Sequence, residues 1–353
     1  MTEIDRAPAN DNVVQGPVVL GANLPERFYR GGAAIARFRG IEQAGEFTPE
    51  DWIGSATTLY GEREAGLTRL PDGRLLRDAL IDDPLGWLGE GHLETYGASP
   101  ALLVKLLDAG QRLPVHAHPS RAWARRHLDC PYGKTEAWVI VSCEDDARVH
   151  LGFQRDVEAA ELAGWVDRED EEALLGSLHA VPVRPGDSVL VPAGLPHAVG
   201  AGIFLVELQE PTDLSVLMEW TGFELDGRAD GHLGLGFDVA LGCVDRSGQG
   251  AERLRELQAA RDPRPGASTL FPPESERYFR AERLRPAPAL ELDPSFAVLV
   301  VLEGEGELVG SSGTLALRRG MTVLLPHAAG ASELRGELEA LRCRPPAPTR
   351  GRA

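Results

Sequence analysis

Two segments, GQRLPVHAHP (residues 110–119) and GDSVLVPAGLPH (residues 186–197), decide how this chain is read. The first has the form G-x5-H-x-H. On an extended strand, side chains two positions apart leave the same face, so His116 and His118 can enter one site together. The second has the form G-x5-P-x-G-x2-H, in which Gly186 turns the chain, Pro192 ends the strand and His197 follows. No acidic residue stands four positions after His118, and the next apolar run instead opens with Glu136 in GKTEAWVIV (133–141). Three imidazoles and one carboxylate form a donor set for one divalent ion with open positions, suited to Zn, Fe, Mn or Co. His92, His127, His150, His179 and His232 stand outside any such spacing and read as ordinary core or surface residues.

Outward from these segments the chain is punctuated by Gly and Pro into short apolar runs. Strands are expected at 101–109, 136–143, 187–193, 202–210, 296–304 and 321–328. Helices are expected at 74–90, 120–128 and 157–178, with a helix-rich stretch at 250–261 before the Pro-rich DPRPG and FPPES segments. VRPGDSVLVPAGLPHAV (183–199) and LRRGMTVLLPHAAGA (317–331) share a basic residue, a Gly, a five-residue stretch, a Pro and a His close behind, which suggests two related halves. The second half has no H-x-H partner for His327, which is therefore expected to be structural.

Composition bounds the function. The 353 residues are 43% hydrophobic and 25% charged, enough for one large or two ordinary domains with a sizeable core. A formal net charge of -18 repels polyanions, so no nucleic-acid or anionic-membrane partner is expected. No run approaches the roughly 20 apolar residues needed to span a bilayer. Four scattered cysteines, Cys130, Cys143, Cys243 and Cys343, give neither a zinc ribbon nor a disulfide framework, and a cytoplasmic protein is expected. Of the 36 basic side chains, 34 are Arg and only Lys105 and Lys134 are Lys. A GC-rich genome explains most of that bias. The two survivors are nevertheless candidates, because a site needing a compact ammonium of adjustable pKa does not tolerate Arg.

The two motifs together resemble those of the cupin superfamily, which implies a mainly β fold of two double-stranded β-helix (jelly-roll) barrels with added helices. The expected division is a loose leader over 1–16, a metal-binding domain over 17–262 and a degenerate cupin-like domain over 263–353. The likeness narrows further. PALLVKLLDAGQRLPVHAHPS (100–120), GKTEAWVIV, VPAGLPHAVGAGIFLVELQE (191–210) and EDWIGSATT (50–58) resemble type I phosphomannose isomerase over most of residues 20–345.

That resemblance implies one zinc held by His116, His118, Glu136 and His197, with His116 where the family has Gln. It implies Lys134 and Glu207 as catalytic groups and Lys105 and Ser120 as substrate contacts. The substrate is a small sugar or sugar phosphate, by default mannose 6-phosphate interconverting with fructose 6-phosphate through an enediol, in a monomer or homodimer. One departure stands out: ten residues after Glu207, where the family carries an Arg, this chain has Leu217, or Val216 if the strand is aligned from Trp220, and no Lys or Arg lies between Arg184 and Arg228. A different or unphosphorylated sugar, a non-catalytic sugar-binding cupin and an iron-dependent oxygenase are the competing readings. The pair of lysines argues against the oxygenase, whose chemistry needs neither.

Overall fold

The computed structural model describes residues 13–348, so the first twelve positions of the expected leader lie outside the described residues. From Leu103 to Leu217 the chain winds between two antiparallel sheets. The six-stranded sheet has the order Gln258–Ala259, Ser188–Val191, Glu136–Cys143, Ile203–Gln209, Leu103–Ala109, Glu50–Ile53. The five-stranded sheet has the order Val216–Leu217, His116–Ala117, His197–Val199, Arg148–Phe153, Leu178–Pro182. Successive strands mostly switch sheet, which is the winding of the cupin fold, and the architecture is mainly β as expected.

The strands of the six-stranded sheet are rich in β-branched and aromatic residues, as in IFLVELQ and EAWVIVSC, and pack well on a pleated surface. Leu103–Ala109 is buried along its whole length. Such a strand has both faces covered, and Lys105 can point into the site only because its neighbours Val104 and Leu106 point into a core on the other side.

That core is continuous with a third sheet. Its eight strands run Val18–Val19, Thr322–Leu325, Ala297–Gly310, Ser332–Arg344, Arg280–Arg285, Gly266–Thr269, with Ala289–Leu292 and Gly313–Arg318 paired beside the two long strands. Val298, Val300, Leu324 and Cys343 join the core that holds Val104 and Leu106, whereas Leu299, Val301, Val323 and Leu334 form a separate one. The two long strands pass closely at Gly304 and Gly306. A side chain at Gly304, whose φ is 73°, would stand 1.9 Å from the Glu337 carbonyl oxygen.

Two expected helices are each divided. The stretch 74–90 holds Leu76–Asp82 and Pro84–Leu88, separated at Asp83, whose side chain accepts from the Gly86 amide and caps the second helix. The stretch 157–178 holds Ala159–Arg168 and Glu171–Gly176, divided at Glu169 in the left-handed region. The strand Ser332–Arg344 is absent from the sequence reading because SELRGELEALRCR alternates charges through its first half and looks helical. Among the described residues, all four cysteines are free and no helix is long and apolar enough to cross a membrane.

Candidate metal centre and active site

His116 and His197 are direct partners across the five-stranded sheet, with ring centroids 4.2 Å apart. His118 follows two residues after His116, its ring 4.8 Å from that of His116 and 4.9 Å from that of His197. All three are buried, and their ligating atoms lie within 4.8 Å of one another. Each ring is aimed in the same way. Nδ1 lies 2.8 Å from a backbone carbonyl, that of Pro114 for His116, Leu214 for His118 and Leu195 for His197. A carbonyl oxygen only accepts, so each Nδ1 carries the proton and each Nε2 presents its lone pair.

Glu136, the first residue of its strand in the opposite sheet, closes the cluster. Its Oε2 lies 3.0 Å from His118 Nε2 and its Oε1 lies 3.2 Å from His197 Nε2. His197 Nε2 is buried without a hydrogen-bond donor, facing only the Glu136 carboxylate, itself an acceptor. Orphaned buried acceptors are costly, and three inward Nε2 lone pairs with a carboxylate are the donors a divalent ion requires, so the residues fit such an ion. The protonation pattern agrees. Burial, with the charge of Lys134, pushes His118 down to about 3, and burial also holds His116 well below the ordinary imidazole range. Burial alone would raise Glu136, but the ammonium of Lys134 holds it well below the usual carboxylate range.

The lysines stand beside this cluster. Lys134 Nζ is 2.9 Å from both His118 Nε2 and Glu136 Oε2. It precedes the strand Glu136–Cys143, and its amide donates to the Pro119 carbonyl, which ties it to the H-x-H segment. Lys105 sits in a row across the six-stranded sheet in which Trp52 faces Lys105, Lys105 faces Glu207 and Glu207 faces Trp138. Its ammonium lies 3.2 Å from Glu207 and 3.3 Å from Glu50, and 4.7 Å above the Trp52 ring. Burial would lower the Lys105 pKa, but Glu50 and Glu207 raise it, so the side chain stays charged. Glu207 accepts from Trp138 Nε1 at 3.3 Å, and burial with the nearby charge of Glu136 raises its pKa.

His116, Glu136, Lys134, Lys105 and Glu207 all line one cavity of about 300 Å³, the lower end of the range for small-molecule sites. Ser120 does not. It is exposed, and its hydroxyl accepts from the Trp123 amide to cap the helix Arg121–Leu128, so that oxygen serves the helix rather than a ligand. The other histidines stay apart: His92 bonds the Ser99 carbonyl, His179 bonds the Gln249 carbonyl, and His327 packs on Gly89.

Residues with no sequence signal complete the wall. Arg27 reaches Asp213 at 3.2 Å and Glu50 at 3.2 Å, and the Tyr29 hydroxyl donates to Glu50. Arg27 is one of 34 Arg and Asp213 lies in a loop, so nothing local marks either. Glu50 stands in the EDWIGSATT segment, which bears on the family resemblance without naming a role.

Residues 270–345 match the family model described as the mannose-6-phosphate isomerase cupin domain. The mannose-6-phosphate isomerase ManA of Bacillus subtilis (strain 168) is 28% identical over 335 residues, covering 92% of this chain and 98% of that protein. The mannose-6-phosphate isomerase of Streptococcus mutans serotype c is 25% identical over 92% of this chain and 96% of its own length. Along nearly its whole length the chain is thus similar to type I phosphomannose isomerases. The crystal structure of the Bacillus subtilis mannose 6-phosphate isomerase shares its cupin fold, with a TM-score of 0.70 at 23% identity over 94% of this chain and all of that one. The two positions at which the resemblance in sequence breaks are His116 and Leu217. Leu217 is buried on the same cavity wall as His116.

Proposed function

We propose that the protein is a metal-dependent aldose–ketose isomerase that moves a proton between adjacent sugar carbons through an enediol. The observation that carries this reading is a cluster of three carbonyl-anchored imidazoles that opens through His116 onto a cavity also lined by Glu136 and both lysines of the chain. The default pair is mannose 6-phosphate and fructose 6-phosphate, since the relatives are named for the first. With that reading go a cytoplasmic setting, a monomer or homodimer, and no nucleic-acid or membrane partner.

His116, His118, His197 and Glu136 would hold one divalent ion. Zinc is favoured, because a mannose 6-phosphate isomerase of the same fold, matching 94% of this chain at a TM-score of 0.70 and 15% identity, is described as bound with zinc and yttrium. Such an ion supplies Lewis-acid polarisation of neighbouring sugar oxygens. Glu207 carries the proton between C1 and C2, a task suited to a carboxylate whose pKa burial has raised. Lys105 orients Glu207 through the 3.2 Å contact and offers its remaining donors to a sugar hydroxyl. Lys134, 2.9 Å from both His118 and Glu136, donates to the sugar oxygen on which negative charge develops.

The test is a coupled assay with metal-replete protein and with protein stripped by a chelator. Turnover of an aldose that disappears on chelation and returns with the metal supports the reading. Metal-replete protein inert toward both phosphorylated and free aldoses overturns it.

A further inference from the structure

We infer that this cavity is built for an uncharged sugar, so that the unphosphorylated aldose is preferred over its 6-phosphate. The inference rests on the isomerase reading and names the substrate class of that same site. Three cations line the cavity, and each is already held by carboxylates. Arg27 is bound to Asp213 and Glu50, Lys105 to Glu50 and Glu207, and Lys134 to Glu136, at distances of 2.9–3.3 Å. Two further acids on the wall, Glu62 and Asp230, are exposed and have no ion pair among the described residues.

Six carboxylates thus face three cations. A divalent ion would still leave the wall with a surplus negative charge. A phosphate monoester is close to a dianion at neutral pH, and its recognition calls for uncommitted guanidinium or ammonium donors. Arg27 is the single Arg on this wall, and it is locked between two acids. Leu217, Leu113 and Leu225 also line the cavity, and their aliphatic side chains offer an anion nothing. Sugar hydroxyls, by contrast, are served well by an acid-rich wall, because carboxylates accept from O–H groups and paired lysines keep donors to spare.

The experiment uses the full, metal-loaded chain. kcat/KM is compared for D-mannose and D-mannose 6-phosphate, and calorimetry compares the unreactive probes mannitol and mannitol 1-phosphate. The expected result is at least a tenfold preference for mannose and tighter binding of mannitol. The double variant Glu62→Lys/Asp230→Lys, altered only at exposed positions, narrows that preference. Equal or better use of the 6-phosphate, with tighter binding of mannitol 1-phosphate, overturns the inference and leaves the isomerase reading intact. Turnover of neither sugar overturns the isomerase reading, while the binding comparison still decides the charge preference. Binding of neither probe overturns both.

Discussion

Leu217 and His116 are register partners in the five-stranded sheet, and His116 in turn faces His197, so an aliphatic side chain stands directly beside the imidazole cluster. The guanidinium on the cavity wall is that of Arg27, on a segment that precedes the whole winding of the two sheets, clamped between Glu50 and Asp213. Position 217 is thus a wall of the site rather than a donor within it.

His116 is held by its Nδ1 contact with the Pro114 carbonyl. His116→Gln restores the residue usual in the family but cannot keep that ring contact, and loss of such support costs about 10–100-fold in metal affinity. The variant is expected to keep one metal per chain and to lose it to a competing chelator sooner than the wild type. Chelator competition followed by metal analysis checks this, and unchanged affinity would count against His116 as a ligand.

Lys134 touches His118 and Glu136 at 2.9 Å in a buried setting that a planar guanidinium fits poorly. Lys134→Arg is expected to lower kcat by about 10²–10⁴. Metal content measured on the same sample separates a lost proton donor from a displaced ion. Wild-type turnover would mean that the scarcity of lysine carried no functional information.

Glu207→Gln keeps the shape of the side chain and removes its capacity to take a proton. The expected fall in kcat is about 10²–10⁴, with metal stoichiometry unchanged because Glu207 is not among the four proposed ligands. Steady-state kinetics at saturating sugar give the answer, and an effect confined to KM would reassign Glu207 to binding.

Away from the site, Glu339 gathers Arg261, Arg283 and Arg285 at 2.6–3.0 Å, and Arg283 also donates to the Gly186 carbonyl at the start of the second motif. Arg283 is buried, so Glu339→Gln strands a charge and is expected to cost about 3–5 kcal/mol in denaturant unfolding. Burial raises the Glu339 pKa, but hydrogen bonds from Arg261 and Arg285 bring it below the usual range. The folded state therefore binds this proton less readily than the unfolded chain. The contribution is present above the ordinary carboxylate pKa and is lost as pH falls through the lower folded value, so the variant should lose the acid-side slope that the wild type shows.

The local signals that could be read in one dimension were those with fixed spacing. His116, His118 and His197 are placed by strand alternation and by a Gly-to-Pro-to-His interval, and Glu136 by the start of an apolar run. Lys105 and Lys134 stood out because a compact ammonium had survived in a chain that otherwise uses Arg. Arg27, Glu50 and Asp213 could not be assigned roles in this way, since their association depends on three segments far apart in sequence meeting at one cavity. Ser120 shows the ambiguity in the other direction, because a serine beside a ligand motif is equally suited to capping the helix that follows, as it does here. The strand Ser332–Arg344 was hidden by a charge pattern that only the pairing partner Ala297–Gly310 resolves.

The amino-acid order by itself determined that this is a mainly β chain with a three-histidine, one-carboxylate centre, because both facts follow from residue spacing along single strands. Only the tertiary structure decided which charges share the cavity with that centre. Net charge and composition count side chains without their partners, whereas the field a substrate meets depends on which cations are already held by acids a few ångströms away. In this cavity all three are.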